Sequence, residues 1–343
     1  MISPKPDYEA SASPEGEDGS EGALAFHPSH ITLSTFNRLL VCYPKTVEQV
    51  HRKKLIRKLQ SKAKPKRKSA KNSADAQDTT LQKTDLPPAE EEQIQDDLDK
   101  FLTLDRWRYE TLPKELAKRK GDPAHLTKDE LIEIMAWKTS HGRPRPMLMG
   151  MIKANQQSTI TKATSEAFTS LPVLDPITES EEAFPKASLD ALTTSLRGVG
   201  PATASLILSI ATVVGEPVRQ VPFYSDDAYL WLVLGAYPAA NPGEGEGEAK
   251  VKGVKANGEL DVKYNLKEFR GLWDEVQDLR ARLKEDGDGL GSVSTVDVEK
   301  VAYVLRHIVV SGYDFGHHQD VSEAAVTDST KGSDRQTKRR KLK

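Results

Sequence analysis

Residues Leu196 to Leu208 read L-R-G-V-G-P-A-T-A-S-L-I-L, and two adjacent acids, Asp226 and Asp227, stand 26 and 27 residues beyond Gly200. Gly198 and Gly200 let the backbone turn sharply and approach another surface closely. Pro201 suits the first position of a helix, where its missing N–H would be unpaired in any case. A glycine turn that opens directly into a helix points its N–H groups outward, and such a site attracts an anion, phosphate above all. Arg197, Gly198, Val199, Gly200, Ala202 and Thr203 are therefore the candidate phosphate-binding set. Ser225 is a natural N-cap, and Asp226 and Asp227 suit the positive end of the helix that it opens.

The pattern L-x-G-V-G-P-x-T-A, apolar on both flanks, resembles the helix-hairpin-helix motif of DNA-binding proteins. The order of elements around it resembles the all-helical fold of the helix-hairpin-helix base-excision DNA glycosylases over residues 98–315. The resemblance implies binding of duplex DNA phosphates through backbone N–H groups, without base reading. It also implies an Asp at the start of the next helix that stabilises the positively charged sugar formed as a base leaves. Asp226 and Asp227 are the residues that match it, after a loop (Thr212 to Phe223) longer than the family's. Helix capping and catalysis both stand as roles for them. The chain departs from the family in three ways. Ala202 occupies the place of the lysine nucleophile of lyase-type members, which excludes Schiff-base chemistry at that position. The family's cysteine cluster is absent, since the chain has one cysteine, Cys42. The acids sit in F-Y-S-D-D-A rather than the family's V-D-[TS]-H-like context. If the protein is an enzyme, the resemblance implies a monofunctional DNA N-glycosylase without lyase activity.

The elements that must position these residues read as an all-α domain with disordered termini and a small β-hairpin insertion. The domain spans 98–315. Phe101, Leu102, Leu104, Trp107 and Tyr109 give its first apolar face. A capping box, Thr127 with Glu130, opens a helix from Lys128 to Trp137. Helices are predicted at Met147 to Asn155, Thr159 to Leu171, Leu266 to Lys284 and Thr295 to Val310, with the hairpin occupying 188–213. Residues 239–258 form a flexible insertion, and alternation around Asn257-Gly258 predicts the β-hairpin. Arg143 and Arg145 lie in a proline-stiffened loop that reads as solvated, with a second phosphate contact as the alternative, and Met147, Met149 and Met151 read as core filler. Asp286 to Asp297 faintly resembles a calcium loop but reads as a glycine-rich connection, so no metal and no cofactor is expected.

Apolar residues make up 37% of the 343 and charged residues 29%, which predicts that much of the length is unfolded, residues 1–97 and 316–343 above all, apart from an apolar patch, Ile31 to Tyr43, that reads as a small helix docking on the main domain or on a partner. The net charge of −2 argues against a uniformly basic nucleic-acid coat, but charge is segregated. Residues 52–71 carry eleven Lys or Arg and no acid, and Lys338 to Lys343 forms a second basic cluster. Both read as nuclear-import signals, with an import receptor as partner and the nucleus as location. Neither a signal peptide nor a membrane-length run is seen. Two function classes follow: a nuclear DNA-binding protein, and a non-enzymatic interaction module of a chromatin or repair assembly.

Overall fold

The computed structural model describes residues 25–63, 86–119, 124–142, 145–172, 183–237, 253–255, 260–287 and 292–315. Regular structure among them is helical, with one isolated bridge between Val254 and Leu260 in place of a β-ladder. The expected β-hairpin reduces to that bridge and to the Asp261 N–H bond to the Gly253 carbonyl, 2.7 Å. Its turn lies outside the described residues, as do residues 1–24 and 316–343, for which disorder is expected.

The packed body begins well before Leu98. Helix α1 (Leu33–Val41), α2 (Tyr43–Ala63) and α3 (Pro88–Arg106) precede or cross that boundary. They bury Phe36, Leu39, Tyr43, Val47, Val50, Leu55, Ile94 and Leu98. The small docking helix expected within Ile31 to Tyr43 is α1, and the expectation that the rest of residues 1–97 is largely disordered is corrected over 25–30, 44–63 and 86–97. The cations of 52–71 dominate the composition of α2, yet Tyr43, Val47, Val50 and Leu55 recur at helical spacing and form a buried stripe. Those cations are not all a free charge run either. Arg52 pairs with Glu91, and the Lys54 ammonium donates to the Ser140, His141 and Gly142 carbonyls. Residues 64–71 and 338–343, the remaining basic clusters, lie outside the described residues.

Helix α3 runs into a π-turn, Trp107–Thr111, before α4 (Leu112–Lys118). A π-turn shifts the register of a helix locally. Here the Arg108 side chain is only 1% exposed and meets Glu299 at 2.7 Å. Then come α5 (Lys128–His141), α6 (Pro146–Lys153), α7 (Gln157–Thr169), α8 (Lys186–Ser195) and α9 (Pro201–Thr212). The Thr127–Glu130 capping box forms as the residue types require. Helix α9 is apolar almost all round and is the central helix. Thr203 to Ile210 are all buried, and it packs on α4, α7, α8 and α11. Helices α10 (Asp226–Leu232), α11 (Leu266–Asp286), α12 (Thr295–Arg306) and α13 (Ile308–Ser311) complete the body. The single closing helix expected over 295–310 is interrupted at His307, where φ is −120° and ψ 30°.

Helix α1 lies across α11 and α12, and the Leu33 N–H donates to Asp286 Oδ2 at 2.6 Å. Just upstream, the Phe26 carbonyl accepts from Trp231 Nε1 at 2.8 Å, and the Phe26 and Tyr313 rings meet edge to face with centroids 5.6 Å apart.

Candidate functional site

The turn between α8 and α9 is fixed from both sides. Gly198 has φ +78°, and a Cβ there would come within 3.0 Å of Met151 Cβ and 3.3 Å of Leu148 Cδ1. Both its backbone conformation and its packing on α6 demand glycine. Asn155, at the end of α6, clamps the neighbouring residue. Its side-chain oxygen accepts the Arg197 N–H at 2.9 Å, and its amide donates to the Arg197 carbonyl at 3.0 Å. Gly200 differs from Gly198. It is exposed, its φ is −101°, and a Cβ built there meets nothing within 4 Å. It caps α9 with no side-chain hydrogen bond, and Pro201 occupies the first turn.

The candidate phosphate-binding residues separate in the structure. Arg197 is exposed, whereas the Val199 side chain is core, 5% exposed. Gly198, Gly200, Ala202 and Thr203 line a cavity of about 620 Å³, and Asp226 and Asp227 line the same cavity. Ser225 accepts the Ala228 N–H at 3.1 Å, so the two acids fill the first turn of α10 and also face the cavity. The wall also carries Trp137, Lys138 and His141 of α5, Arg145, Lys263, Tyr264 and Lys54, and Tyr303, Arg306 and His307.

Burial dominates the electrostatics of this space. It pulls Lys138 down to about 7 and Lys54 down to about 8. The Lys138 ammonium donates to Thr203 Oγ1 at 3.0 Å and lies 5.4 Å from the Phe223 ring centre. Asp226 accepts a 2.8 Å hydrogen bond from the Tyr264 hydroxyl, and Tyr264 is held at φ +52°, left-handed backbone rare for a bulky residue. His141 lies between Trp137, on which it stacks (4.6 Å), and Tyr303, whose ring is tilted against it (4.2 Å). Burial first, and the neighbouring Lys54 and Arg108 next, hold its imidazole well below the ordinary histidine range. Beneath them Trp137 Nε1 donates to Asp105 at 2.8 Å, and the Tyr43 hydroxyl donates to the same carboxylate at 3.1 Å.

Asp227 is pushed up to about 7 from 3.8, by burial first and by the carboxylate of Asp226 second. The folded chain therefore holds this proton more tightly than the unfolded chain does. The stabilising share of that proton is complete below about pH 4 and is lost as the pH rises through 7. Asp227→Asn removes a charge that costs stability at alkaline pH. The variant is expected to gain about 1–2 kcal/mol at pH ~8, roughly 3–6 °C in melting temperature. Near pH ~4 the two proteins should melt together. A lower melting temperature for the variant at alkaline pH would mean that pairing with Arg306 and Lys54 outweighs burial.

Of the two roles open to Arg145, solvated loop and second phosphate contact, both remain compatible with its position: it is exposed and lines the cavity wall, with its guanidinium carbon 5.6 Å from the Tyr264 ring centre; Arg143 lies outside the described residues. One reading of the sequence is corrected beside the cavity. Met147 and Met151 are 83% and 44% exposed rather than core, because α6 buries Ile152 and sets its other face outward. The two described acids of the calcium-like stretch are engaged elsewhere, and Asp288 lies outside the described residues. Asp286 accepts from Leu33, and Asp297 closes a capping box with Ser294. Among the described residues no cluster of three or more His, Cys, Asp or Glu could hold a metal, and no helix is long and apolar enough to cross a membrane. Lys138, Tyr264 and Asn155 carry no motif that marks them in the sequence, and Lys54 is marked there only as part of the basic run 52–71. A lysine directly after a buried tryptophan, on a helix with a single apolar stripe, was the available sign for Lys138. Comparison with protein-family models, with curated proteins and with solved structures gives no match for this chain.

Proposed function

We propose that the protein grips the phosphate backbone of duplex DNA through the turn from Gly198 to Thr203, and that the adjoining cavity receives a nucleotide turned out of the base stack. The observation that carries this reading is that the start of α9 and the acid pair of α10 line one cavity. Chemistry on a base requires extrusion into such a pocket. Arg145, Lys263 and Arg306 are exposed at the same cavity, a cationic rim that suits a polyanion. In this reading the Asp226 carboxylate, oriented by Tyr264, faces the sugar cation that forms as the base leaves. Asp227, poised near neutrality, takes the proton of the attacking water. The fold is then glycosylase-like and the activity monofunctional base excision. A nuclear location, carried by the basic runs at 64–71 and 338–343, belongs to the same proposal.

Gly200→Val tests the grip. The new side chain has room within the protein but stands where a phosphate would approach, so the variant folds and binds poorly. Affinity for duplexes of unrelated sequence is expected to fall by about tenfold or more, equally for each. The log–log dependence on salt should flatten by about one unit for each phosphate that the variant no longer neutralises. The comparison belongs on the full chain, with circular dichroism as the folding control, because trimming to Leu98 would remove α1, α2 and Lys54. Equal affinities would end the phosphate-gripping reading. Base release from a panel of damaged-base duplexes tests the excision half.

A further inference from the structure

A phosphate at the start of α9 would share one cavity with the carboxylates of α10, and like charges repel there. Lys138, on the α5 wall, meets both sides of that conflict. Its Nζ is bonded to Thr203 Oγ1 at 3.0 Å, in the first turn of α9, and Asp226 is close enough to favour its charged form. Among the described residues its bonded partner is this neutral hydroxyl and no carboxylate. In the same turn the Thr203 and Ala204 N–H groups return to the Gly200 carbonyl at 2.9 Å each, whereas the Ala202 N–H has no backbone partner among the described residues. A charged lysine carries three donors, and burial without a counterion makes it give up that charge readily. Burial first, and Arg145 as well, lower Lys138 to about 7, against the opposing pull of Asp226.

We propose that Lys138 takes up a proton from solvent as duplex DNA binds, and donates from Nζ to a non-bridging oxygen of the phosphate held at the start of α9. The phosphate is that of the DNA-binding reading, on which this rests. It is the counterion that the free protein does not give this lysine, and the charge that it draws onto Nζ shields it from Asp226. The other groups around the space are placed for different work. From α2, Lys54 is lowered by burial to about 8 and is tied to three carbonyls at the end of α5. From α10, Asp226 accepts from Tyr264, and Asp227, at about 7, is the one competing titration near neutrality on the acid side. Ahead of α6 and α11 stand the cations Arg145 and Lys263, and at the end of α12 stands Arg306. Tyr224, Tyr264 and Tyr303 are phenols that burial holds above their ordinary range. Burial likewise lowers His307 to about 4 and holds His141 well below the usual range, so both imidazoles are neutral where Lys138 titrates.

Calorimetric titration of the full chain with an undamaged duplex, in two buffers of unlike ionisation heat, counts the protons exchanged on binding. The expected uptake is about one proton at pH ~8 and little at pH ~6, where the free lysine is already charged. Duplex affinity should fall by about tenfold between those two pH values, as linkage to a group at about 7 requires. Lys138→Arg keeps a charge throughout, so it should bind without that uptake and with an affinity level across the range. Lys138→Met gives an independent comparison in a smaller side chain. It should also lose the uptake, bind more weakly than the wild type at pH ~6, and show a salt dependence flatter by about one unit. Circular dichroism checks the fold of both variants. Duplex binding by the wild type without proton uptake overturns the proposal. Uptake that persists in both variants assigns the proton to Asp227 or Lys54 and overturns it equally. Either result leaves the DNA reading intact, whereas no duplex binding by the wild type at any pH overturns that reading and the lysine's role together.

Discussion

Glu299→Ala is expected to cost the fold about 3–5 kcal/mol in urea unfolding, among the largest losses available to a single substitution in this chain. Glu299 and Arg108 have side chains 4% and 1% exposed, bonded at 2.7 Å. The second carboxylate oxygen accepts from the Tyr109 hydroxyl at 2.9 Å, and Arg108 also reaches Ser209 Oγ at 3.3 Å. The guanidinium carbon lies 3.9 Å from the Tyr109 ring centre and 4.6 Å from that of Trp137. Removing the carboxylate strands a buried cation among aromatic rings, and the penalty is the desolvation of that cation rather than the worth of the pair. The matched replacement Arg108→Met with Glu299→Leu removes both charges and should recover most of the loss. A loss below about 1 kcal/mol for the single variant would show that water reaches Arg108.

The acid pair governs the second large effect. Asp226→Asn combined with Asp227→Asn should slow base release from a cleavable duplex by about 100- to 10,000-fold, the range that positioned acids and bases contribute. Duplex affinity should be retained, since the hairpin is untouched. The Ser225 cap also survives, because its partner is the Ala228 backbone rather than either carboxylate. Single-turnover assays on the full damaged-base panel give the comparison. Release by the double variant at the wild-type rate would assign the acids to the helix start alone. No release by the wild type from any duplex would remove excision and favour the interaction-module reading.

The parts of the site that are legible in the sequence are those written in local backbone chemistry. Gly198, Gly200 and Pro201 declare a turn into a helix, and Ser225 with two following acids declares another helix start. The Thr127–Glu130 and Ser294–Asp297 boxes belong to the same class, because a cap closes within three residues of its own side chain. What stays hidden depends on partners far along the chain. Nothing near Lys138 announces Thr203, and nothing near Arg108 announces Glu299, 191 residues away. Charge composition misleads directly at α2. A segment dense in lysine reads as an unfolded import signal, although its apolar stripe packs inside the body and one of its lysines, Lys54, closes the C-terminal end of α5. The Met-rich helix misleads in the opposite sense, since apolar character does not say which face a helix turns to its neighbours.

The Leu33 bond to Asp286 spans 253 residues, and the Trp231 bond to Phe26 spans 205. Synthesis therefore delivers α1 first and secures it last. Phe36 and Leu39, fully buried in the finished protein, sit on a helix whose packing against α11 and α12 waits until those helices have left the ribosome. The hairpin helices meet across a short turn and are complete much earlier. Long-range closure of this kind slows folding and leaves apolar side chains exposed while the chain waits. The wall of the cavity that carries Tyr303, Arg306 and His307 is the part synthesised last, so the nascent chain holds its glycine turn well before it holds a finished pocket.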